Sequence, residues 1–294
     1  MPACGNSTVV LPNKMCQKME QPLQISVIIS TYNQPEWLHK VLLGYQQQTY
    51  PHFEVVIADD GSGEATRKLI NQHQKDSPFA IRHIWHEDNG FQKTAILNKA
   101  TADTRYPYLL FTDGDCIPRA DFLETHAKFA EPGYFLSGGY CKLPMPLSEA
   151  ISAEDIQTQQ CFDPAWLKAR GLEGRSQLRK LGASPNWGAF WDFATPTKAS
   201  FNGCNTSVWK ADVLAVNGAD ERMQYGGEDR ELGERLFNLG LKSKQIRHRA
   251  ILLHLDHARG YMTKESLDRN QAIREHTRKA RSVWTPYGIK QTEA

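Results

Sequence analysis

Four apolar runs, "ISVIIST" (25–31), "FEVVIAD" (53–59), "AIRHIWH" (80–86) and "YLLFTD" (108–113), are separated by segments of helical patterning at 37–47, 64–74 and 93–102. Strands that alternate with helices in this way cannot pair as hairpins. Each helix returns the chain for a parallel strand, and the sheet is then covered on both faces. The expected fold class is α/β, a mostly parallel central sheet flanked by helices. A chain of 294 residues is long enough to hold it as one large domain.

The pattern also divides the chain. Residues 1–22 mix Pro, Asn, Gln and Lys without periodicity and read as a loose N-terminal tail. Residues 23–140 carry the strand–helix alternation. Residues 141–200 break it with prolines, glycines and tryptophans, and read as an irregular excursion, a lid or a wall beside a site. Residues 201–294 regain order, with helices expected near 210–216 and 228–239, a strand at 250–255 and a C-terminal helix at 264–280.

Thirty-five basic and 33 acidic side chains leave a formal charge of +2, which is not the field of a general nucleic-acid binder. No run approaches the roughly 18 apolar residues of a membrane span, and the first 22 residues lack the apolar stretch of a secretory signal. A cytoplasmic location is the expectation. The six cysteines, Cys4, Cys16, Cys116, Cys141, Cys161 and Cys204, have no metal-finger spacing and read as reduced thiols without a role.

The chemistry concentrates at strand ends. "FTDGDC" places Asp113 and Asp115 at the carboxyl end of the fourth run, where open parallel sheets bind their ligands. Two carboxylates on a turning backbone can face a hard cation and a diphosphate together, although a turn that uses Asp for its own hydrogen bonds explains the same letters. "STYNQPEWL" adds the hydroxyl and amide groups of Ser30, Thr31 and Asn33 at the same edge. "ADDGSG" adds Asp59 and Asp60, suited to ribose hydroxyls or a base N–H, or to plain capping. Neither G-x-G-x-x-G nor G-x-x-x-x-G-K-[ST] is present, so phosphate charge must be met by a metal, a cationic side chain or both.

In this order, "VIISTYNQPEWL", "VIADDGSG", "NGFQKTAILNKA" and "FTDGDC" resemble the family 2 glycosyltransferases, which have the nucleotide-sugar-binding GT-A fold. "FNGCNTSVWKADVLAVNGADERMQYGGEDRELGERL" (201–236) resembles the C-terminal part of the β-1,4-galactosyltransferases. Residues 91–98 echo that family's donor motif. The resemblance covers roughly residues 24–260. It implies donor contacts from Thr31, Tyr32, Asn33, Asp59 or Asp60, Phe91, Lys93 and Asp113, with Lys93 meeting phosphate and Asp113 nearer the ribose. Asp115 would be the main carboxylate on Mn²⁺, with Mg²⁺ as the alternative cofactor. The family's Met-x-x-His pair falls on His254 and His257 of "LLHLDHARG". Read from the residues alone, two histidines three apart could share a cation, and imidazole suits Mn²⁺ or another transition metal better than Mg²⁺.

"GGEDRELGERL" opens with two glycines that permit close backbone approach, and Glu228 and Asp229 then start a helix whose dipole favours acids. Simple capping accounts for that much. The resemblance assigns Asp229 as general base and Glu228 as an acceptor contact beside Tyr225, Gly227 and Trp187. Tyr225 stands where the family has Trp. The implied reaction is inverting, metal-dependent transfer of a hexose or N-acetylhexosamine from a UDP-sugar to a hydroxyl of a glycan or lipid-linked glycan, in bacterial surface polysaccharide synthesis.

Basic segments at 166–181 and 264–281 read as solvated helix faces, or as peripheral contact with the anionic inner face of the plasma membrane. Two rival functions remain at this point. A nucleotidyltransferase acting on sugar phosphates would carry a Gly-rich basic loop after its first strand, which "STYNQPEW" is not. A non-catalytic carbohydrate-binding module would not need the acids and histidines together.

Overall fold

The computed structural model describes residues 21–182, 185–195, 197–258 and 263–290. The expected tail, except for its last two residues, lies outside them, as do Cys4 and Cys16. The four apolar runs form β1 (Ile25–Thr31), β2 (Phe53–Asp59), β3 (Ala80–Trp85) and β4 (Tyr108–Asp113), connected by α1 (Pro35–Gln46), α2 (Glu64–Asp76) and α3 (Lys93–Asp103). Every residue of β1 and β2 is buried, as a sheet covered on both faces requires. β1 pairs in parallel with β2 and with β4, and β2 with β3. The order β3-β2-β1-β4 makes the chain change direction between β1 and β4, and a crevice opens at their carboxyl ends.

The chain then adds β5 (Cys116–Pro118), α4 (Phe122–Phe129), β6 (Tyr134–Ser137) and β7 (Gly139–Lys142). Between 141 and 200 the structure departs from the irregular excursion read in the sequence. Five short helices follow: α5 (Met145–Ala150), α6 (Ala153–Gln157), α7 (Pro164–Ala169), α8 (Arg175–Leu181) and α9 (Pro185–Ala194). Leu147, Ile151, Ile156, Phe162, Trp166 and Leu167 of this stretch are buried in the same core as Leu38 and Leu42 of α1. Helices of this length complete too few turns to imprint a 3.6-residue period, and Pro or Gly lies within α5, α7 and α9 and bounds α8.

The last third supplies β8 (Thr206–Trp209), α10 (Lys210–Ala215), α11 (Glu228–Asn238), β9 (Lys242–Gln245), β10 (Ile251–His254) and α12 (Lys264–Ala280). β8 and β6 extend the main sheet by antiparallel pairs, and β9 joins β6 in parallel, giving seven strands. A smaller sheet of β5, β10 and β7 stands beside it. Its register sets His254 opposite Cys116, which returns the late strand to the acids that follow β4.

Candidate active site

The site starts from a close approach. Ser30 and Asp113 are register partners at the ends of β1 and β4, and the Ser30 hydroxyl donates to Asp113 Oδ1 at 2.6 Å. The Gly114 N–H donates to the Ser30 carbonyl at 2.7 Å. A Cβ on Gly114 would stand 3.0 Å from Thr31 Oγ1 and 3.1 Å from that carbonyl oxygen, so the glycine of "DGD" lets the two strand ends meet.

Lys93, the first residue of α3, reaches Asp113 Oδ1 at 2.7 Å. Burial works against the charge of both groups. The Asp113, Glu228 and Asp229 carboxylates overcome it for Lys93, whose proton affinity lies above that of a free lysine. Lys93 and the Ser30 hydroxyl overcome it for Asp113, whose carboxyl lies below the ordinary value.

The start of α11 faces the same ammonium. Gly226 and Gly227 adopt φ of +110° and +86°, a left-handed turn that side chains resist and that brings Glu228 and Asp229 in at the head of the helix. Glu228 Oε2 accepts from the Gly226 N–H at 2.9 Å. Asp229 Oδ2 accepts from the Gly203 N–H at 2.9 Å, and its Oδ1 from the Arg230 N–H at 2.7 Å. A Cβ on Gly203 would lie 3.6 Å from Asp229 Cβ and 3.8 Å from Lys93 Nζ, so the three residues are immediate neighbours. Burial, reinforced by Asp229 and opposed by Lys93, pushes the Glu228 carboxyl above the usual glutamate range.

Asp115 joins through the smaller sheet. Its carbonyl accepts from the Leu255 N–H at 2.9 Å, and its Oδ2 lies 3.1 Å from His257 Nε2. His254 Nδ1 faces the Leu255 carbonyl at 2.9 Å and His257 Nδ1 the Ala258 carbonyl at 3.0 Å. Carbonyls only accept, so both Nδ1 atoms carry hydrogens, and Nε2 is the atom of each ring that would ligate a metal, as in other metal-ligating histidines. The two rings stack at 5.8 Å with planes 11° apart. Ligand atoms of Asp115, Cys116 and His254 lie within 4.8 Å of one another. A carboxylate with two oriented imidazoles fits a transition-metal cation such as Mn²⁺.

The acids of β2 are held differently. Asp59 is fully buried, with Oδ1 accepting from the Ser62 N–H at 2.8 Å and Oδ2 on His83 Nε2 at 2.8 Å. Both of its oxygens thus already have partners, one in the turn and one on β3. Asp60 meets His86 Nε2 at 2.7 Å and the Gln92 N–H at 3.0 Å, immediately before Lys93. Tyr32 donates to Asp88 Oδ2 at 2.8 Å, and Asn33 Oδ1 accepts from the Gly63 N–H at 2.9 Å. These contacts tie the loops after β1, β2 and β3 into one rim.

Phe91 and Tyr225 meet edge to face, with ring centroids 6.2 Å apart, so the donor-side and acceptor-side aromatics of the sequence reading touch. Trp187 is not brought to them. It lies on α9, whose Gly188 and Asp192 pack on His248 and Arg249 before β10 begins, while His254 and Asp115 stand at that strand's far end.

Sequence reasoning missed four neighbours. His86 follows β3 and closes on Asp60. Tyr140 of β7 lies tilted against His254, with centroids 5.7 Å apart, and within electrostatic range of Asp229 and Arg230. Cys116 and Cys204 stand beside Asp113. Cys116 and Cys204 were readable as the residues directly after "DGD" and "NG"; nothing in the local pattern marks Tyr140.

Residues 26–140 match the family model described as glycosyl transferase family 2, and residues 189–258 match the one described as N-terminal domain of galactosyltransferase. Hyaluronan synthase of Pasteurella multocida is 34% identical over 247 residues, covering 77% of this chain and 24% of that protein. The chain spans from about a quarter to about half of the length of such curated relatives. Among solved structures, the mannosyltransferase PcManGT of Pyrobaculum calidifontis, in complex with GDP-Man and Mn²⁺, superposes with a TM-score of 0.56. It is 18% identical, over 82% of this chain and 59% of that one. S. aureus TarS 1-349 in complex with UDP-GlcNAc superposes with a TM-score of 0.55 at 15% identity, over 82% and 61% of the two chains. Residues 26–140 are thus similar to the glycosyl transferase family 2 model and residues 189–258 to the galactosyltransferase one, and both stretches lie in one GT-A fold.

Proposed function

We propose that the protein is an inverting, metal-dependent glycosyltransferase that moves a hexose or N-acetylhexosamine from a UDP-sugar to a hydroxyl of a glycan or lipid-linked glycan, as in surface polysaccharide synthesis. The observation that carries this reading is the convergence on Lys93 of Asp113 from the family 2-like stretch and of Glu228 and Asp229 from the galactosyltransferase-like one. In this reading residues 23–140 hold the nucleotide sugar and 201–294 present the acceptor. TarS with UDP-GlcNAc and PcManGT with GDP-Man and Mn²⁺ support a nucleotide-sugar donor and a metal on this fold.

Asp229, oriented by two backbone N–H groups, accepts the proton of the attacking hydroxyl as it approaches the sugar C1. Glu228 binds the acceptor beside Tyr225 and Gly227. Lys93 moves from Asp113 to the diphosphate as charge develops on the leaving UDP. Asp60, Thr31, Tyr32, Asn33 and Phe91 form the nucleotide side, and Asp113 faces the ribose. Asp115, His257 and His254 would hold Mn²⁺, with Mg²⁺ the poorer fit, and the bound cation supplies charge neutralisation for the diphosphate. One displacement converts an α-linked donor into a β-linkage.

Among the described residues no helix is long and apolar enough to cross a membrane. Peripheral contact with an anionic bilayer is part of the proposal. It is supported by α9, which exposes Trp187, Phe190 and Phe193 at three-residue spacing near Arg179 and Arg249. The deciding experiment is UDP release from a panel of UDP-sugars with Mn²⁺ or EDTA. Metal-dependent release lost in Asp115→Ala supports the reading. Absence of turnover with every donor and glycan acceptor overturns it.

A further inference from the structure

Cys116 and Cys204 take no part in the proposed transfer, yet they occupy the floor of its site. Cys116 opens β5 directly after Asp115, and Cys204 follows Gly203, whose N–H holds Asp229. Both thiols are buried, and their sulfurs lie with an Asp113 carboxylate oxygen inside a mutual 4.8 Å. Cys116 is shared with a second donor set, Asp115 and His254. Each thiol now donates to a neighbouring oxygen, Cys116 to Asp115 Oδ1 at 3.2 Å and Cys204 to Asn202 Oδ1 at 3.3 Å.

We propose that Cys116 and Cys204 form a dithiol site for a thiophilic divalent cation of the zinc class, with Asp113 as the third protein ligand. Two sulfurs on a tetrahedral Zn²⁺, each at about 2.3 Å, stand roughly 3.8 Å apart, a separation the observed cluster accommodates with little movement. Hard cations gain little from sulfur, so the thiols select against Mn²⁺ and Mg²⁺ and leave those to the oxygen and imidazole donors nearby. Binding deprotonates both thiols, and the two protons leave to solvent as the two metal–sulfur bonds form. Asp113 is then drawn from Lys93, so a soft cation at this site releases the ammonium that Asp113 otherwise holds.

The test uses Co²⁺ as the probe on the full chain, kept reduced with a phosphine. Near-ultraviolet thiolate-to-cobalt absorption should appear in the wild type, weaken in Cys204→Ser and in Cys116→Ser, vanish in the double serine variant, persist in Asp115→Asn and be titrated away by Zn²⁺. Absence of the band, or its survival in the double serine variant, overturns the proposal. Loss in Asp115→Asn with no change in Cys204→Ser also overturns it, because the metal would then use the Asp115, Cys116 and His254 set. Should a serine variant fail to fold, Zn²⁺ protection of wild-type Cys116 and Cys204 from maleimide, read by mass, decides the same question. None of these readouts depends on glycosyl transfer, so the site stands or falls separately from the proposed activity.

Discussion

The Lys93 ammonium and Asp113 Oδ1 are 2.7 Å apart, a contact that joins the first residue of α3 to the last residue of β4. With Glu228 and Asp229 close by, three carboxylates surround one ammonium, and the crevice is negative before any ligand enters. A nucleoside diphosphate would meet repulsion there unless it arrived with a cation and recruited Lys93.

Replacement of Lys93 by Met should therefore weaken both states. It removes the charge that answers the diphosphate and leaves Asp113 without its partner in a partly buried setting, a loss of about 1–3 kcal/mol in the ground state. We expect kcat/KM for the donor to fall by roughly 10²-fold or more, as for loss of an electrostatic contact to a developing anion. Steady-state kinetics at saturating metal checks this, and an unchanged kcat/KM would remove Lys93 from the phosphate.

Asp229 and Glu228 should separate kinetically. Asp229→Asn keeps the shape and the Gly203 contact, and should lower kcat by roughly 10²–10⁴-fold while donor affinity survives. Glu228→Gln should instead act on acceptor KM. Since Glu228 titrates above an ordinary glutamate, it protonates first as pH falls, and acceptor KM should rise on that limb. In Glu228→Gln the limb should flatten; a pH profile identical to wild type would sink this assignment.

Metal removal offers an independent check. Asp115→Asn should raise the Mn²⁺ concentration for half-activation by at least the roughly 10–100-fold that loss of an outer-sphere partner costs a metal site. Calorimetric titration of Mn²⁺ reads the same loss without turnover. Equal Mn²⁺ affinity in wild type and variant would place the ion elsewhere.

The strand-end logic was legible because β1, β2 and β4 are continuous buried runs whose last residues are polar. "FEVVIAD" and "YLLFTD" end where their strands end. The smaller sheet was not legible. β5 has three residues and β7 and β10 four each, too few for a period, and their pairing is a tertiary event. The same limit hid how Asp115 reaches His257, and why Asp59, in an acid pair that reads symmetrically, turns inward to His83 while Asp60 faces His86. Trp187 and Trp166 looked alike as aromatics in an irregular stretch, but one is exposed on α9 and the other is buried on α7.

Acid should destabilise the fold through two buried histidines. His126 Nε2–H donates to Asn205 Oδ1 and Nδ1 accepts from the Ser207 hydroxyl, and burial lowers it to about 3. Burial and then His39 lower His73 to about 4. Both are neutral when folded and protonate near 6.5 when unfolded. Their contribution is present above pH 6.5 and declines as pH falls toward 4, at about 1.4 kcal/mol per unit for each histidine. Urea midpoints at pH 7, 6 and 5 should trace the decline, and a folded His126→Gln variant should show a shallower slope.

The head of α11 depends on a buried ion pair one turn further along. Arg235 binds Glu231 through Nε at 2.9 Å and through Nη2 at 2.8 Å, and donates from Nη2 to the Gly218 carbonyl at 2.6 Å and from Nη1 to that of Val216. Thr277 of α12 donates to Glu231 Oε1 at 2.8 Å, so one network joins both helices to the turn before the glycines. Arg235→Met should cost about 3–5 kcal/mol, because it strands the Glu231 charge and two carbonyls in the interior. Arg235→Met combined with Glu231→Met should recover part of that loss in denaturant titrations, since no charge is then left buried. Greater loss in the double variant would mean that the pair itself, and not the uncompensated charge, holds α11 in place.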